Sequence, residues 1–145
     1  MSQSTPASSA QTVFVTGAEG ALGSAVVRRY LDAGCTVIAT FFKEKPAEWR
    51  DQKRLIPIQM DVSSGESVRK AFSNASLPPI DGWVHCAGGF RFAMTDHISD
   101  EDLDFLINVN IRSAFVLARQ LLPEMKRRNF GRIVFVSSRS TLQAS

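Results

Sequence analysis

The sequence predicts an α/β protein built on a doubly wound parallel sheet, and three observations carry that expectation. Five short apolar runs rich in β-branched residues alternate with stretches of helical periodicity along the 145 residues. Strands that alternate with helices pair in parallel and are covered on both faces. A glycine-rich string follows the first run and opens the first helix, where sheets of this kind hold ligands. The composition agrees: 44% hydrophobic and 21% charged residues, in a length that suits one domain with a real core.

Taken in order, "TVFVT" (Thr12 to Thr16) is the first strand. Leu22, Val26, Tyr30 and Ala33 follow at spacings of four, four and three, with Arg28, Arg29 and Asp32 among them. That is one apolar face of a helix, and Gly34 is its stop signal. "TVIATF" (Thr36 to Phe41) is the second strand and "LIPIQM" (Leu55 to Met60) the third, separated by a polar loop. Pro57 has no N–H for a ladder, which assigns the third strand to a sheet edge. Ser63 and Glu66 form a capping-box pattern that predicts a short helix through Phe72. "GWVHCA" (Gly82 to Ala87) is the fourth strand, ended by Gly88 and Gly89. Ser99 caps a long helix with apolar positions Leu103, Leu106, Ile107, Ala114, Leu117 and Leu121, and Pro123 predicts a kink or fresh start. "RIVFV" (Arg132 to Val136) is the fifth strand. The polar, small residues 1–11 are expected to be a disordered tail ahead of a single domain, residues 12–145.

The bulk numbers also narrow the function. The net charge of +3 comes from 17 basic against 14 acidic residues, scattered apart from groups at Lys43 to Arg54 and Lys126 to Arg128. Without a basic stripe interleaved with aromatics, no nucleic-acid partner is expected. A mildly basic surface still attracts phosphorylated small molecules. No apolar stretch reaches membrane-spanning length, and the first ten residues lack the character of a signal peptide. Cys35 and Cys86 have no metal-ligand spacing, so the expectation is a cytoplasmic protein with two reduced, buried thiols and no metal site.

The chemistry begins at "TGAEGALG", Thr16 to Gly23. Gly17, Gly20 and Gly23, with Leu22 between them, sit where the chain must turn sharply, approach a ligand and pack a helix closely. The helix behind them points unpaired N–H groups and the positive end of its dipole at the loop. In the first βα turn of a βαβ unit, these are the requirements for a dinucleotide pyrophosphate, in a Rossmann-type sheet. An acid ending the second strand would bind a ribose 2′-hydroxyl. Phe41 stands there instead, and Lys43 and Lys45 follow. This favours the 2′-phosphate of NADP, with NAD the alternative. Glu19 in the loop argues against a further phosphate, and each lysine alone reads equally as a solvated surface charge.

Five motifs in sequence order, "TGAEGALG", Asp61-Val62, "HCAGG", "NVNIRSAF" and "GRIVFVSS", make the chain from about Thr12 onward resemble the short-chain dehydrogenase/reductase family. A looser likeness to its dihydropteridine-reductase-like members lies in "AGGF" and "RSTLQA". The resemblance implies hydride transfer between NAD(P)H and a carbonyl or alcohol substrate. It makes Gly17, Gly20 and Gly23 the pyrophosphate loop and Asp61 the contact to the adenine amino group, with Val62 beside the ring. Ala87 and Gly88 become the wall of the cofactor ribose. Asn110 becomes the asparagine that anchors a water in the proton relay, and Ser138 the hydroxyl that bonds the substrate carbonyl. The residues support this in part on their own terms. The nominated loops follow the carboxyl ends of parallel strands, and Asn110 interrupts an apolar stripe, where an amide needs partners. A satisfied helix asparagine, or a polar strand end at Ser137 and Ser138, are the plain alternatives.

The departures matter as well. The family's common "NNAG" is "HCAG" here, and His85 reads as a packed core histidine rather than a catalyst. "TGxxGxxG" with a nearby histidine also resembles nucleotide-sugar epimerases. The family's tyrosine and lysine, one helical turn apart after the fifth strand, have no counterpart. Tyr30 is the only tyrosine, and no lysine follows Lys126. The sequence therefore reads as a Rossmann-type domain truncated after the fifth strand, inactive alone, whose full-length form is expected to be a homo-oligomer. A non-catalytic nucleotide-binding or interaction module is the reading from another class. Phe90, Arg91, Phe92 and Met94 are candidates for one side of a substrate pocket by position.

Overall fold

A computed structural model describes residues 11–138. The strands are β1 (Thr12–Thr16), β2 (Thr36–Phe41), β3 (Leu55–Gln59), β4 (Gly82–His85) and β5 (Arg132–Phe135). They form one parallel sheet in the order β3-β2-β1-β4-β5. The helices are α1 (Ala21–Asp32), α2 (Gly65–Asn74), α3 (Asp100–Ile107) and α4 (Ser113–Arg127), with a 3₁₀ turn at Ala47–Trp49. The strand order reverses between β1 and β4, and open sheets bind ligands at the carboxyl ends of the strands beside such a reversal. Most of the expected tail, residues 1–10, lies outside the described residues. Gln11 already joins the sheet margin, its carbonyl accepting from Thr36 N–H at 2.9 Å.

The alternation along β1 sorts the core into two layers. Phe14 points to one face, where it meets Ile38, Trp83, Val68 of α2 and Leu117 and Leu121 of α4. Val13 and Val15 point to the other, against Val37, Val84 and Val27 of α1. Both faces of every central strand are thus buried, which is why the strands read as unbroken apolar runs. Pro57 lies in β3 at the sheet edge, as its missing N–H requires, and Gly34 closes α1 with φ +82°.

Four local expectations shift. β3, β4 and β5 each end before the last apolar residue of their runs, although Met60, Cys86 and Val136 still donate N–H to Phe41 O, Thr16 O and His85 O of the neighbouring strands. The cap of α2 is Ser64, whose hydroxyl accepts from Ser67 N–H, and Ser63 turns instead to Asp61. α4 runs through Pro123 to Arg127. The break in the long helix falls earlier, at a π turn over Asn108–Arg112 where Ser113 N–H donates to Asn108 O. A π turn fits one extra residue into the coil and rotates the faces on either side of it. Leu117 and Leu121 of α4 therefore reach the core, whereas Leu103 and Ile107 of α3 are 45% and 44% exposed.

β5 is the other sheet edge. Val134 and Phe135 are 50% and 54% exposed. The two cysteines are free and half-buried rather than fully enclosed, and burial pushes the Cys86 thiol above its ordinary range.

Candidate functional site

Gly17 ends β1 in the left-handed region, at φ +66°. Its N–H donates to Thr40 Oγ1 at 3.2 Å, and a Cβ here would lie 2.6 Å from the backbone nitrogen of Ala87. Only glycine lets the β1 loop lie against the β4 loop so closely. Gly20 N–H donates to Gly17 O at 3.1 Å, and Gly20 then caps α1 without a side-chain acceptor or an acid in the first turn. The first-turn N–H groups therefore have no side-chain acceptor at the cap, the arrangement that receives an anion. Gly23 is buried in the helix itself, where a Cβ would lie 2.0 Å from Gly17 O.

These residues form one end of a cleft of about 550 Å³ over the carboxyl ends of β1, β2, β3 and β4. Gly17, Gly20, Phe41, Asp61, Val62, Ala87 and Gly88 all line it. Gly23 supports the loop from beneath. Leu22 is 51% exposed and is not part of the lining. Lys43 also stays outside the lining, with Nζ 6.0 Å from the centre of the Phe42 ring. Asp61 is held firmly: Oδ1 accepts from Ser63 N–H at 3.0 Å and from its hydroxyl at 2.7 Å, and Asp61 N–H donates to Ser67 Oγ at 2.9 Å. The other carboxylate oxygen has no donor among the described residues.

A second cleft, of about 1040 Å³, shares the wall Cys86 to Gly88 with the first. Asn110 and Ser138 both line it, as does Phe90, whereas Arg91, Phe92 and Met94 do not. Arg91 instead lies over the Phe105 ring at 3.9 Å and bonds Asp102. Asn110 is exposed rather than enclosed in an apolar stripe, since the π turn carries it out of phase with the core. Its Oδ1 accepts from Gly89 N–H at 3.1 Å, and its Nδ2 donates to Gly89 O at 2.9 Å and Leu106 O at 3.0 Å. The side chain thereby clamps the loop after β4.

Residues 11–145 match the family profile described as short chain dehydrogenase. The chain belongs to the short-chain dehydrogenase family. Its parallel five-stranded sheet is that of the solved members. A short-chain dehydrogenase from Leptospira borgpetersenii with bound NAD+ superposes with a TM-score of 0.86 at 24% identity, over 94% of this chain and 54% of that one, a likeness of fold. The closed form of a serine dehydrogenase complexed with NADP+ gives a TM-score of 0.85 at 29% identity, over 93% and 57%. Acetoacetyl-CoA reductase of Allochromatium vinosum is 31% identical over 89% of this chain and 56% of its own length. The chain spans about half the length of the curated relatives it matches.

In this member of the family the histidine of "HCAG" is a structural link. His85 is buried at the end of β4, with Nδ1 2.7 Å from Thr16 Oγ1 and Nε2 3.1 Å from Ser113 Oγ. Ser113 spends its one hydroxyl proton on Val109 O at 2.6 Å, so its oxygen can only accept from His85. Nε2 therefore carries the proton and Nδ1 accepts from Thr16. Burial holds the imidazole neutral, its pKa lowered to about 4. The chain of bonds joins the residue before Gly17 to the π turn that carries Asn110. The apolar run around His85 marks it as a core residue, but neither partner, 69 and 28 residues away, has a local signal. Glu19, Thr40 and Phe42 also line the first cleft, and no local motif in the sequence marks them as doing so. Among the described residues no helix is long and apolar enough to cross a membrane.

Proposed function

We propose that this sequence builds the cofactor half of an NAD(P)-dependent oxidoreductase acting on the carbonyl or alcohol of a small molecule. One observation carries the reading: the glycine-loop cleft and the cleft of Asn110 and Ser138 meet at the single wall Cys86 to Gly88. A group lying in the first reaches the second across that wall. The residues present fit a nicotinamide dinucleotide, because the α1 cap is bare of side chain and acid, and seven of the ten nominated contacts face one cleft. Bound there, such a cofactor supplies or accepts hydride.

The α1 N-terminus and Gly20 take the pyrophosphate. Asp61, oriented by Ser63 and Ser67, offers its open oxygen to the adenine amino group, and Val62 flanks the ring. Ala87 and Gly88 line the ribose. Ser138 donates to the substrate carbonyl, an exposed hydroxyl at the tip of β5. Asn110 uses both amide protons on backbone carbonyls, so its role is to position the β4 loop, with one Oδ1 lone pair left for a water.

Among the described residues no tyrosine–lysine pair accompanies them. Tyr30 lies in α1 against the apolar layer of Val27 and Trp49 and lines neither cleft. Residues 1–145 by themselves therefore carry out no hydride transfer, and a longer form of the protein, a cytoplasmic homo-oligomer acting on a small molecule, completes the site. A second reading, a nucleotide-binding module held by a partner, draws support from the half-exposed apolar edge at Val134 and Phe135.

Fluorescence titration of the purified 145-residue chain with NADH and NADPH is the test. Saturable binding of either, lost in Gly17→Val, supports the assignment. A folded chain that binds neither overturns it, and oxidation of either by the chain alone overturns its predicted inactivity.

A further inference from the structure

Phe41 ends β2 without the carboxylate that a hydroxyl-reading strand would carry there, yet a carboxylate stands at that strand end all the same. Glu19 reaches across from the glycine loop, and its Oε2 accepts the N–H of Phe42, the residue after β2, at 3.0 Å. Glu19, Thr40, Phe41 and Phe42 line the cleft together. We infer that Glu19 is the cofactor's specificity residue, an acid delivered by the loop to the place where the strand lacks one. This rests on the proposed dinucleotide cleft and deepens it.

The chemistry follows from what each ribose presents. A 2′-hydroxyl is a donor, and Glu19 has a carboxylate oxygen that no other described group occupies. A 2′-phosphate has no proton to give near neutral pH and meets a like charge at close range. The opposing charges are Lys43 and Lys45, the residues that made NADP the first expectation. Lys43 is exposed, outside the cleft lining, with its ammonium over the outer Phe42 ring at 6.0 Å. Lys45 is exposed as well and is also outside that lining. Glu19 is exposed too, but the Phe42 N–H holds its carboxylate in the cleft lining, whereas both ammonium groups stay outside that lining, so the acid acts at the shorter range. The cleft is therefore built for NAD over NADP, through a residue 23 positions before Phe42 in sequence and its neighbour in space.

The test is a binding measurement on the 145-residue chain, independent of turnover. NADH is expected to bind at least about tenfold more tightly than NADPH, a difference of the size one close charge pair supplies. Glu19→Gln should narrow that ratio to within about threefold, while Lys43→Gln leaves it in place. The unmutated chain gives a second readout. Raising the salt concentration should raise NADPH affinity relative to NADH if Glu19 repulsion dominates, and lower it if lysine attraction dominates. A preference for NADPH, a ratio that Glu19→Gln leaves unmoved, or the lowering with salt each overturns the inference while leaving the dinucleotide cleft standing. Failure of the folded chain to bind either cofactor overturns the cleft assignment itself.

Discussion

The amide of Asn110 grips both polar groups of one residue, accepting from Gly89 N–H at 3.1 Å and donating to Gly89 O at 2.9 Å. A loop residue without a side chain is thus held by its backbone alone. The grip fixes the wall between the two clefts, because Gly88 sits immediately before it and a Cβ on Gly88 would lie 3.0 Å from Asn110 Oδ1.

Asn110→Ala should destabilise the chain by about 1–2 kcal/mol, the net loss of a few hydrogen bonds at an exposed site. Asn110→Asp keeps the acceptor but sets a carboxylate oxygen against the Gly89 and Leu106 carbonyls, so its cost should exceed that of alanine. Urea unfolding midpoints measure both. Equal midpoints for all three chains would show that the clamp contributes nothing to stability.

The glycines divide into two kinds by what their neighbours are. At Gly23 an added Cβ meets the Gly17 carbonyl oxygen at 2.0 Å, and backbone cannot step aside. Gly23→Ala should cost more than about 2 kcal/mol and abolish dinucleotide binding. At Gly65, in the first turn of α2, the nearest obstacle is the tip of the Arg69 side chain at 3.3 Å, which can swing away. Gly65→Ala should be neutral or stabilise by up to about 1 kcal/mol. Thermal melts of the two variants should move in different directions or by clearly different amounts.

His85 makes stability depend on pH with a defined sign. Its pKa is about 4 in the fold against an ordinary 6.5, lowered by burial. Between those values the unfolded chain binds the proton and the folded chain does not, so stability falls as pH drops from about 6.5 towards 4. The loss approaches roughly 2–3 kcal/mol across that window and is absent above it. His85→Gln should flatten this part of the curve. Denaturant titrations from neutral to mildly acid pH decide, and an unchanged slope in the variant would assign the dependence to other groups.

Asp81 ties the start of β1 to the end of α4. Its Oδ2 accepts Thr12 N–H at 2.9 Å, and its Oδ1 pairs with Arg128. Arg128 also donates to Ile80 O at 3.3 Å. The pair is largely shielded from water, so removing one partner strands the other. Asp81→Ala should cost about 2–3 kcal/mol, more than Arg128→Ala, because it also orphans the Thr12 N–H. A double-mutant cycle on unfolding free energies measures the coupling, and an additive pair would refute it.

Much of the fold was legible because burial on two faces leaves a mark on neighbours in sequence. Val13 to Val15 and Val37 to Ala39 read as strands since no position in them could be polar. Pro57 marked the edge through its missing donor, and Gly34 the helix stop through its backbone. The periodic signal breaks down where an element changes phase. Asn110 lay on the apolar stripe of an unbroken helix, and one π turn at Asn108–Arg112 rotated it to the surface and left Leu103 and Ile107 exposed. Ser63 fits the capping-box spacing, yet Asp61 claims its hydroxyl and Ser64 caps α2 instead.

By itself the sequence determined the parallel α/β sheet, its order of strands and helices, the glycine turn at Gly17 and Gly20, and the family to which they belong. These follow from local rules, the period of burial, the backbone freedom of glycine and the missing proton of proline. Only the tertiary structure decided which groups face one another: Glu19 with Phe42, Asn110 with Gly89, and Thr16 with His85 and Ser113. Each pair is joined by the stacking of separate βα units over the strand ends. Side chains brought together in that way are set by the sum of the whole core, and no stretch of a few residues carries their signal.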